Sequence, residues 1–146
     1  MEEYRVLLVQ PKDISRIWVG VKPLIDTALG TIQNNDTREY LISEDFKGWL
    51  EAALAQLFIV VKDNEIKLIT ITELNTYPRD MLLQYLMISG KELKHCYKKL
   101  AAEVEAFARR EKCTRMTVTA RKGMMKYLPE WEEVKDKHSI NLIKDL

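Results

Sequence analysis

The stretch Leu93-Lys94-His95-Cys96-Tyr97-Lys98-Lys99-Leu100-Ala101-Ala102-Glu103-Val104-Glu105-Ala106-Phe107-Ala108 sets the frame for the whole chain. Leu93, Cys96, Tyr97, Leu100, Val104, Phe107 and Ala108 recur at helical spacing and form one apolar stripe. Lys94, Lys98, Glu105 and Arg109 lie on the opposite side. The pattern predicts a single amphipathic helix over 91–112, preceded by the break Ser89-Gly90-Lys91. Before it, Met81 to Ile88 reads as a strand. After it, Thr114 to Ala120 sets Met116 and Val118 against Thr117 and Thr119, a strand with two different faces. Strand, helix and strand make a right-handed crossover, so the two strands are expected to be parallel.

Working outward, Leu57–Val61 and Ile66–Leu74 flank an Asp63-Asn64 turn and read as a hairpin. A phase shift between Ile66/Leu68 and Ile69/Ile71 predicts a bulge or burial on both sides. Thr76-Tyr77-Pro78-Arg79-Asp80 reads as a loop. Tyr4 to Val9 is a β-prone run closed by Gln10-Pro11. From Ile14 to Leu29 the apolar spacing is helical, with Asp13 as N-cap, a break or kink expected near Val21-Lys22 because of Pro23, and Gly30 at the end. Thr37 to Gln56 reads as one or two helical pieces capped by Asp36 or Ser43. Gly123–Leu128 reads as a short helix stopped by Pro129. Trp131–Val134 and Ser139–Ile143 read as closing strands.

The expected fold class is therefore α/β (α+β). A mixed, mostly antiparallel central sheet of about six to seven strands carries helices on both faces, in one domain over residues 1–146.

Composition narrows the function classes. The 146 residues are 47% apolar and 31% charged with net charge +1, as in a globular protein. Charge is unevenly spread. Residues 1–90 hold nine basic and thirteen acidic groups, 91–126 eleven and four, and 127–146 three and five. Arg109, Arg110, Lys112, Arg115, Arg121, Lys122 and Lys126 form a basic cluster, but no aromatic interleaving or reader motif accompanies it, which speaks against nucleic acid. Cys96 and Cys113, with His95 and His138, have no metal-ligand spacing, so no metal site is expected and the thiols read as structural. No apolar run approaches the ~20 residues that span a bilayer. The acidic start Met1-Glu2-Glu3-Tyr4 has no signal region, so the chain reads as neither secreted nor membrane-bound.

Four stretches resemble the GNAT N-acetyltransferase superfamily, closest to small GNAT-like proteins of tailed bacteriophages. They are Tyr4–Val9 with Asp13-Ile14-Ser15-Arg16-Ile17-Trp18, then Thr72-Glu73-Leu74-Asn75-Thr76-Tyr77-Pro78, then Glu105–Cys113, and finally Ala120-Arg121-Lys122-Gly123-Met124-Met125-Lys126-Tyr127-Leu128. The resemblance implies that the two parallel strands splay apart to admit the pantetheine arm of acetyl-CoA. It implies that pyrophosphate meets the start of the long helix, where free N–H groups and the dipole favour an anion. The cofactor-binding candidates are then Met87, Ile88, Ser89, Gly90, Lys91, Leu93 and Lys94.

Catalytic members usually show Q/R-x-x-G-x-G/A at this turn. This chain has one glycine there, Gly90, and Glu92 adds negative charge at the anion end. By the same resemblance, Glu73 is the candidate base and Tyr127 the candidate acid. The degraded turn points to a non-catalytic binding or virion-assembly module, with a protein partner or self-association, in the host cytoplasm or the virion. The alternative is an active acetyl-CoA-dependent N-acetyltransferase on a small amine or protein lysine.

Overall fold

Each β-prone run finds its ladder partner in one seven-stranded sheet of order β1-β2-β3-β4-β5-β7-β6. The computed structural model describes residues 3–33, 41–120, 132–135 and 140–146. The strands are β1 (Arg5–Val9), β2 (Gln56–Lys62), β3 (Glu65–Tyr77), β4 (Asp80–Gly90), β5 (Arg115–Ala120), β6 (Glu132–Lys135) and β7 (Ile140–Asp145). The helices are α1 (Ile14–Gln33), α2 (Ser43–Glu51) and α3 (Leu93–Arg110), with a 3-10 turn at Pro11–Asp13. β4 and β5 pair in parallel, as the crossover requires. Every other pairing is antiparallel.

The sheet is covered on both faces, so its central strands alternate between two cores. On one side α3 buries Cys96, Leu100, Val104, Phe107 and Ala108 against Phe58, Val60, Leu68, Leu83, Tyr85, Met116, Val118 and Leu142. Phe58 and Phe107 meet edge to face at 5.6 Å, a favoured aromatic geometry. On the other side α1 and α2 cover Leu57, Ile59, Ile69, Ile71 and Met87. Each fully buried large apolar side chain contributes about 1.5–3 kcal/mol.

Two register shifts shape the sheet. Val60 pairs with Leu68 and Val61 with Ile66, which leaves Lys67 as the extra residue of a bulge. Ile71 pairs with Met87 and Thr72 with Tyr85, which leaves Leu86 as the extra residue of β4. The phase shift within 66–71 thus reflects a bulge at Lys67 together with burial on both faces. The second bulge turns Leu86 and Met87 both toward the α1 side, while Ile88 returns to the α3 side.

Several boundaries differ from the sequence reading. α1 runs unbroken through Pro23. The carbonyl that Pro23 leaves without its amide partner belongs to Val19, whose side chain is 87% exposed. That face of the helix is in water, which can serve the carbonyl. Asp13 lies in the 3-10 turn and pairs with Arg16 at 3.1 Å. α2 starts at Ser43, with Ile42 as its N-cap, and the Ile42 N–H donates to Asp45 Oδ2 at 2.9 Å. It ends at Glu51, five residues before β2 begins at Gln56. β3 and β4 extend to Tyr77 and from Asp80, so only Pro78 and Arg79 remain between them.

Asp80 ties the closed end of the β4/β5 pair. Its carboxylate accepts from the Thr114 hydroxyl, from the Met81 N–H at 3.0 Å and from Arg115 at 2.7 Å. The Thr114 N–H donates to the Met81 carbonyl at 2.9 Å, and the Leu146 N–H donates to the Thr114 carbonyl at 2.8 Å. Asp80→Ala should lower unfolding free energy by about 1–2 kcal/mol through the two hydrogen bonds from Thr114 and Met81. A urea-unfolding midpoint unchanged from wild type would contradict this role.

Candidate functional site

The parallel pairing of β4 and β5 is short. It runs from Leu82↔Arg115 to Tyr85↔Val118. β5 then stays with β7 as far as Ala120↔Ile140, while β4 stays with β3 as far as Gly90↔Leu68. Two strands that keep their outer partners and lose each other must diverge. Among the described residues, the β4 edge from Leu86 to Gly90 therefore has no strand on its β5 side. An unpaired strand edge presents backbone N–H and C=O groups to whatever enters.

Side chains from α3 narrow the opening. Tyr85, Ile88, Tyr97, Leu100, Ala101, Glu105 and Val118 line a recess of about 20 Å³ between α3, β4 and β5, room for one water-sized group. Tyr85 is buried, and its phenol is pushed far above its ordinary value by burial first and then by Tyr97 and Glu105. It stays neutral. Glu105 is bonded to Lys144 of β7 and lies 3.8 Å from Arg109.

The turn into α3 has an unusual backbone. Gly90 has φ of +136°. A Cβ there would lie 2.3 Å from the Lys67 carbonyl oxygen and 2.6 Å from the Leu68 Cα, so only glycine fits. The Lys91 N–H donates to the same Lys67 carbonyl at 2.7 Å. Glu92, the N-cap of α3, is left-handed at φ +63°, and no side chain caps the helix start. Its carboxylate points back toward β1 and β3. One oxygen accepts from the Tyr4 hydroxyl at 3.0 Å, and the other lies 3.9 Å from Lys67 Nζ. Lys91 and Lys94 are exposed beside that helix start.

The candidates from sequence fall into three groups. Ile88 and Leu93 pack on the α3 side, Gly90 and Lys91 form the turn, and Lys94 lies exposed in the first turn of α3. Met87 is buried on the α1 side. The Ser89 hydroxyl donates to the Leu24 carbonyl of α1 at 2.6 Å. Those last two can offer only backbone to a ligand. Glu73 is half-buried and pairs across to Gln84, next to the point where β4 and β5 part. Pleat alternation places it on the face opposite Leu74, which packs with the α3-side core. Glu73, Asn75, Gln84 and Thr117 thus form a polar strip on the α1 face, with Asn75 Nδ2 donating to Gln84 Oε1 at 3.1 Å. Tyr127 and the helix expected at Gly123–Leu128 lie outside the described residues. Tyr85, Tyr97 and Glu105 were not singled out from sequence as site residues. Tyr97 and Glu105 stand on opposite sides of the α3 pattern, and Glu105 also opens the stretch Glu105–Cys113.

The basic cluster is partly spoken for, since Arg115 pairs with Asp80 at 2.7 Å and reaches Asp145 at 4.0 Å. Cys96 and Cys113 are buried free thiols, each pushed up chiefly by burial. Among the described residues there is no cluster of three or more metal-ligating side chains, and no helix is long and apolar enough to cross a membrane.

No family model and no curated protein sequence matches the chain. Solved structures match it nearly end to end. FeeM, an N-acyl amino acid synthase from uncultured soil microbes, has a TM-score of 0.69 at 11% identity over 99% of this chain and 92% of that one. The PaiA N-acetyltransferase of Thermoplasma acidophilum, in complex with coenzyme A, has 0.63 at 12% over 99% of both chains. An acetyltransferase of the GNAT family from Streptococcus pneumoniae has 0.65 at 14% over 99% of this chain and 100% of that one. At such identities the likeness concerns the backbone arrangement. A sheet parted between β4 and β5, with α3 rising from the parting, is thus an acetyltransferase-like architecture, and the chain has the GNAT fold.

Proposed function

We propose that this chain binds a coenzyme A thioester, acetyl-CoA in the first instance, along the free edge of β4 and passes its acyl group to an amine. The observation that carries this reading is the loss of β4/β5 pairing after Tyr85↔Val118 while both strands keep their outer partners. The residues present suit such a ligand. The β4 edge is unpaired, the α3 start is uncapped with Lys91 and Lys94 beside it, and the carboxylate of Glu92 is turned away. When bound, the thioester supplies an activated acyl carbon.

The chain's own groups then have distinct tasks. Backbone N–H and C=O groups of 86–90 bind and orient an amide-bearing arm. The first N–H groups of α3, with Lys91 and Lys94, bind an anion. Glu73 takes the proton of an acceptor amine at its carboxylate, approaching from the α1 face. The neutral Tyr85 phenol and the half-buried Tyr97 line the α3 side.

A second reading is a non-catalytic binding or assembly module, with virion components of a tailed phage as partners. It is favoured by the narrowness of the recess and by the single glycine, Gly90, at the turn into α3. The phage assignment rests on sequence resemblance alone.

Titration calorimetry with acetyl-CoA, and thiol release on a panel of amines, separate the two. The transferase reading expects a Kd in the micromolar range and measurable thiol release. Glu73→Gln should lower kcat at least tenfold with little change in acetyl-CoA affinity. Binding weaker than millimolar, with no thiol released, would give the protein to the second reading.

A further inference from the structure

We infer that Tyr4 and Lys67 form a latch that holds the Glu92 carboxylate away from the start of α3, keeping that helix end available to an anion. The inference rests on the coenzyme A reading above and adds positioning residues to it.

A carboxylate on the N-cap residue of α3 would neutralise the dipole that attracts phosphate. Left loose on a left-handed N-cap, it could fold over the free amides of the first turn. Here it is drawn the other way by groups from two strands. Tyr4, just ahead of β1, donates its hydroxyl to Glu92 Oε1 at 3.0 Å. Lys67 of β3 sets its ammonium 3.9 Å from Oε2 and 3.0 Å from Glu65. Oε2 is itself shielded from water and accepts no hydrogen bond, so its neighbour Lys67 is the charge that compensates it.

Both partners are themselves fixed in place. Lys67 is the extra residue of the β2/β3 bulge, and bulges re-aim side chains. Its carbonyl receives the Lys91 N–H and sits against Gly90. Tyr4 is held three ways, by Glu92, by Lys99 Nζ on its carbonyl at 2.5 Å and by Lys62 Nζ 4.6 Å from its ring centre. Two groups, each fixed by further contacts, thus converge on one carboxylate that lies 88 residues from Tyr4 in the chain.

The test is calorimetric titration of coenzyme A into wild type, Tyr4→Phe, Lys67→Gln and each combined with Glu92→Gln, at low salt. With the latch cut, the freed charge should weaken coenzyme A about three- to fivefold, the size of one unit-charge repulsion in water at contact. Glu92→Gln should restore wild-type affinity in the same background, which a purely structural loss would not allow. Hydrogen exchange of the first-turn amides of Leu93 and Lys94, read without ligand, should slow in Tyr4→Phe, because the freed carboxylate then accepts from them. Should Tyr4→Phe fail to fold, Lys67→Gln carries the same comparison. Wild-type binding with no change in either variant, or a loss that Glu92→Gln does not rescue, would overturn the latch and leave the cofactor reading standing. No binding by wild type would remove the cofactor reading itself, and the latch with it.

Discussion

Gly90→Ala is expected to lower unfolding free energy by about 3–5 kcal/mol, the sum of a strained backbone and an overpacked contact. Two separate facts force the penalty. At φ +136° an L side chain is strained whatever the space around it. The added Cβ would also lie 2.3 Å from one backbone atom and 2.6 Å from another, the Lys67 oxygen and the Leu68 Cα. Backbone cannot rotate aside as a side chain can. Relief requires β4 to lift from β3, which breaks the Lys91 N–H bond to Lys67 and moves the start of α3. In thermal unfolding the change should appear as a drop of roughly 10–15 °C for a chain of this length. Gly30→Ala is the internal control. Its Cβ meets nothing within 4 Å, and in a helix alanine is favoured over glycine by about 1 kcal/mol. The two substitutions should therefore move the midpoint in opposite directions. Equal midpoints for Gly90→Ala and wild type would mean that the turn is not built around that contact.

The contrast between those glycines shows what sequence reveals and what it hides. The β4-α3-β5 unit was legible because its signals are local. A stripe at 3.6-residue spacing and a strand with alternating faces each announce themselves within a few residues. The parallel pairing followed from handedness, and the parting of the strands followed from resemblance. The bulge at Lys67 left a trace, because it shifts the apolar phase between Ile66 and Ile71. The bulge at Leu86 left none, since Leu82, Leu83, Leu86, Met87 and Ile88 are apolar on either register. Pro23 does not break α1, because its cost depends on which face of the helix meets water, and that is settled by packing.

The candidate site was less legible for a related reason. Glu92 was visible as a negative charge at the anion end of α3. That its backbone takes the left-handed shape, and that its carboxylate turns toward Tyr4, depends on partners 88 residues distant. Asp80 and Arg115 likewise meet only because β4 and β5 are neighbours. No periodicity encodes such pairs. The narrowing of the recess by Tyr85 and Tyr97 is a matter of register, since shifting β4 by one residue would send Tyr85 to the α1 face.

That buried phenol gives the chain a pH dependence of definite sign. Tyr85 sits under α3 at 8% exposure, and burial, reinforced by Tyr97 and Glu105, pushes its titration well above the ordinary value near 10. In the unfolded chain the same phenol loses its proton near pH 10. Above that pH the native state holds one more proton than the unfolded state, so unfolding becomes easier as pH rises. The stability that Tyr85 contributes is fully present below pH 10 and drains away at about 1.4 kcal/mol per pH unit above it. By pH 12 the loss from this group reaches about 2.7 kcal/mol. Tyr85→Phe cannot ionise. It should be less stable than wild type at pH 7 by about 1 kcal/mol, the worth of a hydroxyl's hydrogen bond. It should then lose stability less steeply above pH 10 and overtake wild type before pH 12. Tyr4, Lys22 and Lys67 are also raised and keep a shallower alkaline slope in both proteins. Urea unfolding at pH 7, 10, 11 and 12 measures the difference directly. Parallel curves for the two proteins across that range would place the Tyr85 hydroxyl in water, and would remove it from the wall of the opening between β4 and β5.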